Sequence, residues 1–372
     1  MVSRCVAVFA LLFAAAAAEV NETLLTAQPW RGRPCSSGAC KPSFLIVGFG
    51  KCGSSSLYYY LASHPNVRAA ATKQVQFFDH GYAEGRFESH YLRAFATDLR
   101  PGEMTGESSP GYVAYPRVVP RVKRHLGGTG GAGGTSFLAI VREPAARAYS
   151  AYAYHYAHAA RKRALPFGTL IESEMTFLRK CFARDAVKQG CDPGRPELCK
   201  HALSECYAAA TPNEQVGEAA RRAFGPRHAS EAMPLQNAHL WRQLVGRSLY
   251  SAYLEWWYEA FASTEVLLVC LEDLTTQAAA AAEMARVAKF LALPVFDFGG
   301  VLAGRFNAGD AHTGYDAVTP WDAAPGGPTR EPPDPAAMAV LARFAKPFTE
   351  RLFELADHRC SWGRNDGFDE LR

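Results

Sequence analysis

The chain has 372 residues, of which 48% are hydrophobic and 12% aromatic, enough to bury the core of one or two domains. Its formal net charge of +4 gives no strongly basic footprint, which argues against a nucleic-acid-binding protein and predicts no nucleic-acid partner. The 11 histidines and 10 cysteines contain no HExxH motif, no paired CxxC motif and no EF-hand spacing, so the sequence predicts no metal.

The N-terminal segment predicts entry into the secretory pathway. After Arg4, residues 5–18 form an apolar run that ends in small residues, which is short for a membrane span and typical of a signal peptide. Residues 1–18 are therefore interpreted as a signal peptide or a short signal anchor, with membrane attachment only if the segment stays uncleaved. Residues 19–41 then form a stem, in which Asn21 begins a glycosylation sequon.

Residues 44–61 are the most informative segment, because they read as a buried strand, a glycine-rich turn and the start of a helix. Amide groups at a helix start point towards an anion, the helix dipole favours that anion, and Lys51 adds a positive charge. The segment therefore predicts a loop that binds a phosphate or a phosphosulfate. The predicted ligands are Lys51, Cys52, Gly53, Ser54, Ser55 and Ser56.

The position of the lysine bears on the type of loop. Lys51 lies two residues before Gly53, whereas the loop of ATP-binding P-loop proteins has its lysine directly after the last glycine. A P-loop kinase would also need a carboxylate for magnesium, and it stays an alternative hypothesis.

A second strand running directly into a helix is predicted over residues 137–156. Arg142 lies at the end of the strand, and Ser150 lies about two turns into the helix. The planar guanidinium of arginine binds phosphate oxygens in a bidentate manner, so Arg142 is a candidate phosphate ligand. Arg147 is either part of this site or an ordinary surface charge.

Together the two segments resemble the donor-binding motifs of sulfotransferases, which use 3′-phosphoadenosine 5′-phosphosulfate (PAPS) as the sulfuryl donor. The resemblance covers residues 42–363 and is closest to Golgi carbohydrate sulfotransferases of the heparan sulfate and chondroitin type, with further similarity at residues 102–112 and 266–274. It implies that Lys51 and the loop hydroxyls bind the 5′-phosphosulfate, that Arg142 and Ser150 bind the 3′-phosphate, and that Arg330 belongs to a nucleotide-covering loop.

The predicted acceptor segment, residues 73–79, departs from the pattern of that family. Gln74 stands where relatives carry a glutamate that takes the proton of the acceptor hydroxyl, and a carboxamide cannot act as a general base. Gln76 stands where relatives often carry a histidine. The resemblance therefore predicts Lys73, Gln74 and Gln76 as acceptor-binding residues. Candidate catalytic residues are Lys51, Asp79 and Glu107, with His80 behind them.

The order of elements predicts an α/β protein, a three-layer P-loop-like fold with a central parallel sheet flanked by helices. Strands are expected at 43–47, near 67, near 105, at 137–141 and at 266–274. Helices are expected at 55–63, 88–96, 118–126, 145–158, 236–261 and 335–356. The catalytic domain is expected to span 42–365, followed by a tail over 366–372.

Residues 166–234 interrupt the alternation of strands and helices and are predicted to form a helical, cysteine-rich insertion over the acceptor side. Four cysteines within it are expected to form two local disulfides in an oxidising lumen, with a zinc site as the alternative. The pairing cannot be deduced from sequence. The four cysteines are Cys181, Cys191, Cys199 and Cys206.

The sequence and the resemblance together predict a sulfotransferase of the Golgi lumen or membrane, acting on a hydroxyl or amine of a carbohydrate, with an anionic polysaccharide as the expected acceptor. A catalytically weak relative that only binds nucleotide or glycan is an alternative, because of Gln74. Sulfation of protein tyrosine is another.

Overall fold

The structure is a computed structural model that describes residues 35, 40–127, 134–156, 166–189, 191–192, 194–210, 243–307, 318–320 and 333–362. The predicted signal segment, nearly all of the stem, Arg330 and the C-terminal tail lie outside these residues. Within the described residues, no helix is both long enough and apolar enough to cross a membrane.

Five strands of the described chain form a parallel sheet in the order β2-β3-β1-β4-β5. Their bounds are β1 Phe44–Gly48, β2 Val67–Ala69, β3 Met104–Ser108, β4 Ser136–Val141 and β5 Val266–Cys270. A separate antiparallel pair joins β6, Gly304–Phe306, to β7, Val318–Pro320. The predicted α/β class with a central parallel sheet is confirmed.

Strand β1 lies in the middle of the sheet because its side chains are apolar on both faces. Phe44 is opposite Gly106 of β3 on one side and Ser136 of β4 on the other. A side chain at Gly106 would place its Cβ 2.5 Å from the Phe44 carbonyl oxygen, so glycine is required for this close pairing. All residues of β1, β3 and β4 are buried, as expected for strands covered on both faces.

Helices cover both faces of the sheet. Their bounds are α1 Ser54–Ala62, α2 Val118–Leu126, α3 Pro144–Tyr156, α4 Phe167–Gln189, α5 Lys200–Ala210, α6 Tyr250–Ala260, α7 Gln277–Phe290 and α8 Pro335–Ala356. Strand β4 shows the layering, because alternate side chains point to opposite faces. Phe137 contacts Trp257 of α6, whereas Ile140 reaches towards Gly53 at the start of α1.

The described part of the cysteine-rich insertion is helical, as predicted. It consists mainly of α4 and α5, which pack against each other and against α8 and α6, respectively. Disulfides join Cys181 to Cys206 and Cys191 to Cys199, so the expectation of two local bridges is confirmed and the zinc alternative is wrong. Two further disulfides are Cys35–Cys40 and Cys270–Cys360.

Several predicted elements differ from the structure. The helix expected at 88–96 is a series of short 3₁₀ and π turns over residues 84–94. The helix expected at 236–261 is α-helical only from Tyr250, and its part before residue 243 lies outside the described residues. The strand expected at 266–274 ends at Cys270 and continues as a 3₁₀ turn, Leu271–Leu274. Helix α7 and the pair β6–β7 were not predicted.

Candidate active site

The predicted site residues follow different strands of the sheet but meet at one edge. Because the five strands are parallel, their carboxyl ends lie on the same side, where ligands bind in open α/β sheets. The phosphate loop (residues 48–56) follows β1, the acceptor segment (residues 73–79) follows β2, and Arg142 follows β4. Glu107 lies near the end of β3.

The phosphate loop turns sharply into α1. Lys51 has φ +70° and Gly53 has φ +84°, both in the left-handed region that favours glycine. A Cβ at Gly53 would lie 2.5 Å from Leu271 Cδ1, so the third glycine of the motif is fixed by close packing. A Cβ at Gly50 would meet no atom within 4 Å, so the space beside the loop is open.

Helix α1 begins at the end of this loop. Ser54, Ser55 and Ser56 form its first turn, where backbone amides have no acceptor within the helix, and Gly53 provides no side-chain cap. These amides fit an anion bound at the helix start. The hydroxyl of Ser56 is also structural, since it accepts a hydrogen bond of 3.0 Å from the Phe306 amide and so holds strand β6.

Cys52 points away from the open side of the loop. Its thiol is buried, it lies 3.7 Å from the Tyr250 hydroxyl, and burial raises its pKa to about 11. The amide of Cys52 donates to the Phe49 carbonyl. The thiol and the amide of Cys52 therefore both contact the protein, and the thiol is neutral at pH 7. The predicted binding of the sulfuryl donor by Cys52 stays a prediction.

One face of α3 lies against the phosphate loop. Residues three and four positions apart share a helix face, which places Arg147, Ser150 and Tyr154 on the same side of α3. Arg147 Nε donates to the Gly50 carbonyl at 3.2 Å, and Lys51 Nζ lies 4.0 Å from the centre of the Tyr154 ring. Ser150 lies between these two contacts along the helix, on the same face, and its role as a phosphate ligand stays a prediction.

Arg147 is not the surface charge that the sequence left open. Only 2% of the residue is exposed, and its Nη1 donates to the carbonyls of Gln243 and Leu244 at 3.2 and 3.1 Å. Burial lowers the pKa of its guanidinium, which is nevertheless charged at neutral pH. Arg147 therefore connects the phosphate loop to residues 243–244.

Arg142 is held at the start of α3. Its carbonyl accepts from the Tyr250 hydroxyl at 2.7 Å, and its side chain is half-buried. The next residue, Glu143, caps α3 by accepting from the amides of Ala145 and Ala146 at 3.0 and 2.6 Å. The Glu143 amide in turn donates to Glu272 Oε1 at 2.9 Å. The cap and this second carboxylate fix the backbone from which the Arg142 side chain extends.

Lys73 extends the line of β2 beside β3, since the Ser108 amide donates to its carbonyl at 2.8 Å. The Lys73 side chain is buried, and its ammonium lies 3.5 Å from the Ser108 carbonyl oxygen. Burial lowers the pKa of Lys73 to about 7, with the Glu107 carboxylate opposing that shift. Lys73 therefore carries a labile charge in the interior of the site.

Glu107 is fully buried and accepts four hydrogen bonds. Its Oε1 accepts from Tyr112 at 2.8 Å and Tyr91 at 3.2 Å, and its Oε2 accepts from Ser109 at 2.5 Å and from the Val75 amide at 3.2 Å. Burial raises its pKa to about 7, although these donors lower it. Four hydrogen bonds from the protein occupy both oxygens of the Glu107 carboxylate. Glu107 therefore has the contacts of a structural residue that holds the acceptor segment in place.

Asp79 differs from Glu107 because one of its oxygens is free of hydrogen bonds among the described residues. Asp79 is 4% exposed, its Oδ1 accepts from the His80 amide at 2.8 Å, and its Oδ2 is buried with no such partner. His80 Nε2 lies 3.7 Å from that oxygen.

Gln74 and Gln76 are hydrogen-bonded to each other, with Nε2 of Gln76 donating to Oε1 of Gln74 at 3.2 Å. The two carboxamides are therefore neighbours, and their predicted binding of the acceptor stays a prediction.

Sequence reasoning missed the tyrosines that support the site. Tyr91 and Tyr112 bind Glu107, Tyr154 lies against Lys51, and Tyr250 binds both Arg142 and Cys52. Tyr112 also accepts from the Phe77 amide at 3.0 Å, which links the end of β3 to the acceptor segment. The only sequence signal was an excess of tyrosine near the motifs, and this could not distinguish supporting residues from core residues.

The parallel sheet and the loop that follows β1 define a P-loop-like α/β protein. Over 267 residues the chain is 22% identical to the membrane-associated sulfotransferase kil1 of Dictyostelium discoideum, which covers 64% of this chain and 54% of that protein. Over 125 residues it is 32% identical to heparan sulfate glucosamine 3-O-sulfotransferase 6 of Mus musculus, covering 33% of this chain and 34% of that protein. The chain is thus related by sequence to sulfotransferases, including those named for heparan sulfate.

The matches span about half of the first relative and about a third of the second. A solved structure, the sulfotransferase from Alicyclobacillus acidocaldarius, is 19% identical with a TM-score of 0.49, covering 87% of this chain and 98% of that one. No family model matches the chain.

Proposed function

We propose that the protein is a sulfotransferase that transfers the sulfuryl group of PAPS to a hydroxyl or amine of a carbohydrate. The main support for this proposal is that the phosphate loop contacts one face of α3. Lys51 of this loop contacts Tyr154, Arg147 binds the Gly50 carbonyl, and Ser150 lies between those two residues on the same helix, with Arg142 just before the start of α3. Two phosphate-binding elements on adjacent strands suit a nucleotide that carries phosphate at both its 5′ and 3′ positions.

The reaction is an in-line displacement at sulfur. An acceptor oxygen or nitrogen forms a bond to sulfur, the bond from sulfur to the bridging phosphate oxygen breaks, and adenosine 3′,5′-bisphosphate leaves. Lys51 and the amides of α1 would stabilise the negative charge that develops on the leaving phosphate, while Arg142 and Ser150 hold the 3′-phosphate. No step of this scheme requires a metal.

The proton of the acceptor must go to a base within the site. Asp79 is the candidate because its Oδ2 accepts no hydrogen bond among the described residues, whereas the Glu107 oxygens accept four from the protein. Gln74 would orient the acceptor by hydrogen bonding. Lys73, the first residue of the acceptor segment and buried beside β3, would supply positive charge near the transferred sulfuryl group.

The acceptor class and the compartment rest on separate arguments. Relatives named for heparan sulfate act on a carbohydrate, and the mild net charge of +4 suits an anionic polysaccharide. The four disulfides found among the described residues suit an oxidising compartment, which agrees with a place in the secretory pathway, in the Golgi lumen or at its membrane.

The first test is stabilisation of the full chain by adenosine 3′,5′-bisphosphate compared with ADP. At 100 times its dissociation constant a ligand adds about 2.7 kcal/mol to the free energy of unfolding, which a melting curve detects. We expect stabilisation by the bisphosphate but not by ADP, and loss of the effect in Lys51→Ala and Arg142→Ala. Lys289→Ala, an exposed lysine on α7, is the matched control and should keep the full shift.

Transfer assays with labelled PAPS then separate the acceptors. Desulfated heparan sulfate and chondroitin should accept label, while a tyrosine peptide should not. Bisphosphate binding without transfer to any acceptor would favour the weak, binding-only relative. A preference for ADP or ATP would favour a kinase and would contradict the sulfotransferase proposal.

A further inference from the structure

A continuous set of buried contacts runs from the phosphate loop into the helical insertion. Arg147 binds the Gly50 carbonyl on one side and the carbonyls of Gln243 and Leu244 on the other. The next two amides, of Val245 and Gly246, donate to Glu174 Oε1 at 3.0 and 2.9 Å. Residues 243–246, here called the linking turn, therefore have carbonyls bound by a cation and amides bound by a carboxylate.

The second half of this set lies within the insertion. Glu174 belongs to α4 and is 0% exposed, and its Oε1 also accepts from the hydroxyl of Tyr207 on α5. Tyr207 packs so closely on the linking turn that a Cβ at Gly246 would lie 2.2 Å from its hydroxyl oxygen. The neighbour of Tyr207, Cys206, is joined by a disulfide to Cys181 of α4. The insertion therefore holds the linking turn through the contacts of Glu174 and Tyr207 with residues 245–246.

The loop end of the set is conformationally demanding. The Gly50 carbonyl belongs to the peptide that precedes Lys51, whose φ of +70° lies in the left-handed region that is strained for a residue other than glycine. A hydrogen bond from a buried guanidinium at this peptide opposes its rotation. Hydrogen bonds from a charged donor are stronger than those between neutral groups, so this contact offsets part of that strain.

We propose that Arg147 and Glu174 are positioning residues through which the helical insertion holds the phosphate loop in its donor-binding conformation. Glu174 fixes the linking turn, the linking turn fixes the guanidinium of Arg147, and Arg147 fixes the peptide before Lys51. The importance of this relay for donor binding rests on the proposed function, whereas the effect of the relay on the loop itself does not.

Amide hydrogen exchange of the ligand-free full chain tests the relay directly. We expect a peptide covering residues 48–57 to exchange at least about tenfold faster in Arg147→Lys, which keeps the charge but cannot make the three bonds, and in Glu174→Ala. Glu174 touches no residue of that peptide in the described contacts, so an effect there must pass through the linking turn. If Glu174→Ala does not fold, Tyr207→Phe can replace it, because this variant removes only the hydrogen bond from the Tyr207 hydroxyl to Glu174.

Glu283→Ala is the matched control. Like Glu174, Glu283 is a buried carboxylate, but its partner is Arg286 and it lies on α7 outside the relay. Exchange of residues 48–57 should stay within about twofold of wild type in this variant. Because Arg147 and Glu174 act through one turn, the double variant should lose no more protection than the more affected single variant.

Ligand measurements distinguish this inference from the proposed function. In Arg147→Lys and Glu174→Ala the dissociation constant of adenosine 3′,5′-bisphosphate should rise about tenfold or more, with the KM of the carbohydrate acceptor unchanged. If wild type fails to bind the bisphosphate, the proposed function is wrong, yet faster exchange in the variants would still support the relay. Unchanged exchange of residues 48–57 in folded variants, or additive effects in the double variant, would overturn the relay.

Discussion

At the scale of single residues, the unusual feature is a lysine and a glutamate buried close together at the end of β3. Burial lowers the pKa of Lys73 to about 7 and raises that of Glu107 to about 7, so desolvation acts against both charges. Glu107 offsets part of its burial through four hydrogen bonds, and the ammonium of Lys73 lies 3.5 Å from the Ser108 carbonyl oxygen. Because burial lowers the pKa of Lys73, its protonated form is held in the folded protein at a cost in stability.

Lys73→Met should stabilise the protein, because methionine fills similar space without a buried charge. The pKa of Lys73 is lower in the folded state than its ordinary 10.5, so the unfolded chain binds the extra proton between about pH 7 and 10.5. The penalty is therefore largest below pH 7 and declines as the pH rises. We expect a gain of a few kcal/mol at pH 6 and a smaller gain at pH 9, measured by urea unfolding.

The exposed Lys289 provides the comparison for this experiment. Lys289→Met should change the free energy of unfolding by less than about 0.5 kcal/mol at either pH. A gain from Lys73→Met that was the same at pH 6 and pH 9 would contradict the assignment of the penalty to the buried ammonium.

Gln74→Glu should increase the turnover number of the proposed transfer reaction. General base catalysis contributes about 10²- to 10⁴-fold, and a carboxylate at this position would stand beside Gln76 in the acceptor segment. We expect at least about a tenfold rise at pH 7, measured with labelled PAPS and an excess of acceptor. A turnover number unaffected by Gln74→Glu but abolished in Asp79→Asn would assign the base to Asp79 alone.

At the scale of elements, the sequence predicted those that depend on local pattern. Strands β1 and β4 and helices α2 and α8 lie within one or two residues of their expected bounds, because apolar runs and helix signals determine them. The linking turn could not be predicted. Its residues continue the helical pattern of α6, but their carbonyls and amides are bound by Arg147 and Glu174, which are remote in sequence.

The failed helix at 88–96 has a similar tertiary cause. Phe87 and Tyr91 stack on each other, and both pack against Phe77 and Phe78 of the acceptor segment. Packing this aromatic cluster takes precedence over regular helical geometry, and the backbone follows as short 3₁₀ and π turns.

Glu143→Ala should weaken both α3 and the donor site. The variant removes the two hydrogen bonds that cap the helix, at a cost of about 1–2 kcal/mol in the free energy of unfolding. Because the cap fixes the backbone beside Arg142, affinity for adenosine 3′,5′-bisphosphate should fall as well. Urea unfolding and calorimetric titration check the two effects.

Glu143→Asp separates the two roles of this residue. It keeps a capping carboxylate and should restore most of the stability lost in Glu143→Ala. If Glu143→Ala left the affinity for the bisphosphate unchanged, the cap would matter for the helix alone.

At the scale of the whole molecule, the sequence predicted the edge of the sheet at which the candidate site lies. It did not predict the residues that hold the site residues in place. Motifs that follow strands of a parallel sheet must meet at one edge, so Lys51, Asp79, Glu107 and Arg142 could be grouped from sequence. The supporting contacts come from elements far along the chain. Tyr250, for example, reaches the phosphate loop from α6, and no local pattern encodes such a contact.

The disulfide Cys270–Cys360 ties the end of β5 to the segment after α8. It closes the widest separation among the described disulfides, 90 residues, compared with 8 for Cys191–Cys199. In the chain-entropy account, removing it should cost about 4–5 kcal/mol, compared with about 2–3 kcal/mol for the shorter bridge. Urea unfolding of Cys270→Ala/Cys360→Ala and Cys191→Ala/Cys199→Ala compares the two. Equal losses, or a larger loss for the shorter bridge, would contradict this ranking.

The order of strands in the sheet has a consequence for biosynthesis. Strand β1, which carries the phosphate loop, pairs with β3 and β4, and β4 ends only at Val141. At about 5–20 residues per second, a ribosome needs roughly 5–20 s to pass from Gly48 to Val141. For most of that interval the loop has been synthesised, but β4, which pairs with β1, is incomplete. We therefore expect the nascent chain to lack the proposed donor site until β4 and the start of α3 have been made.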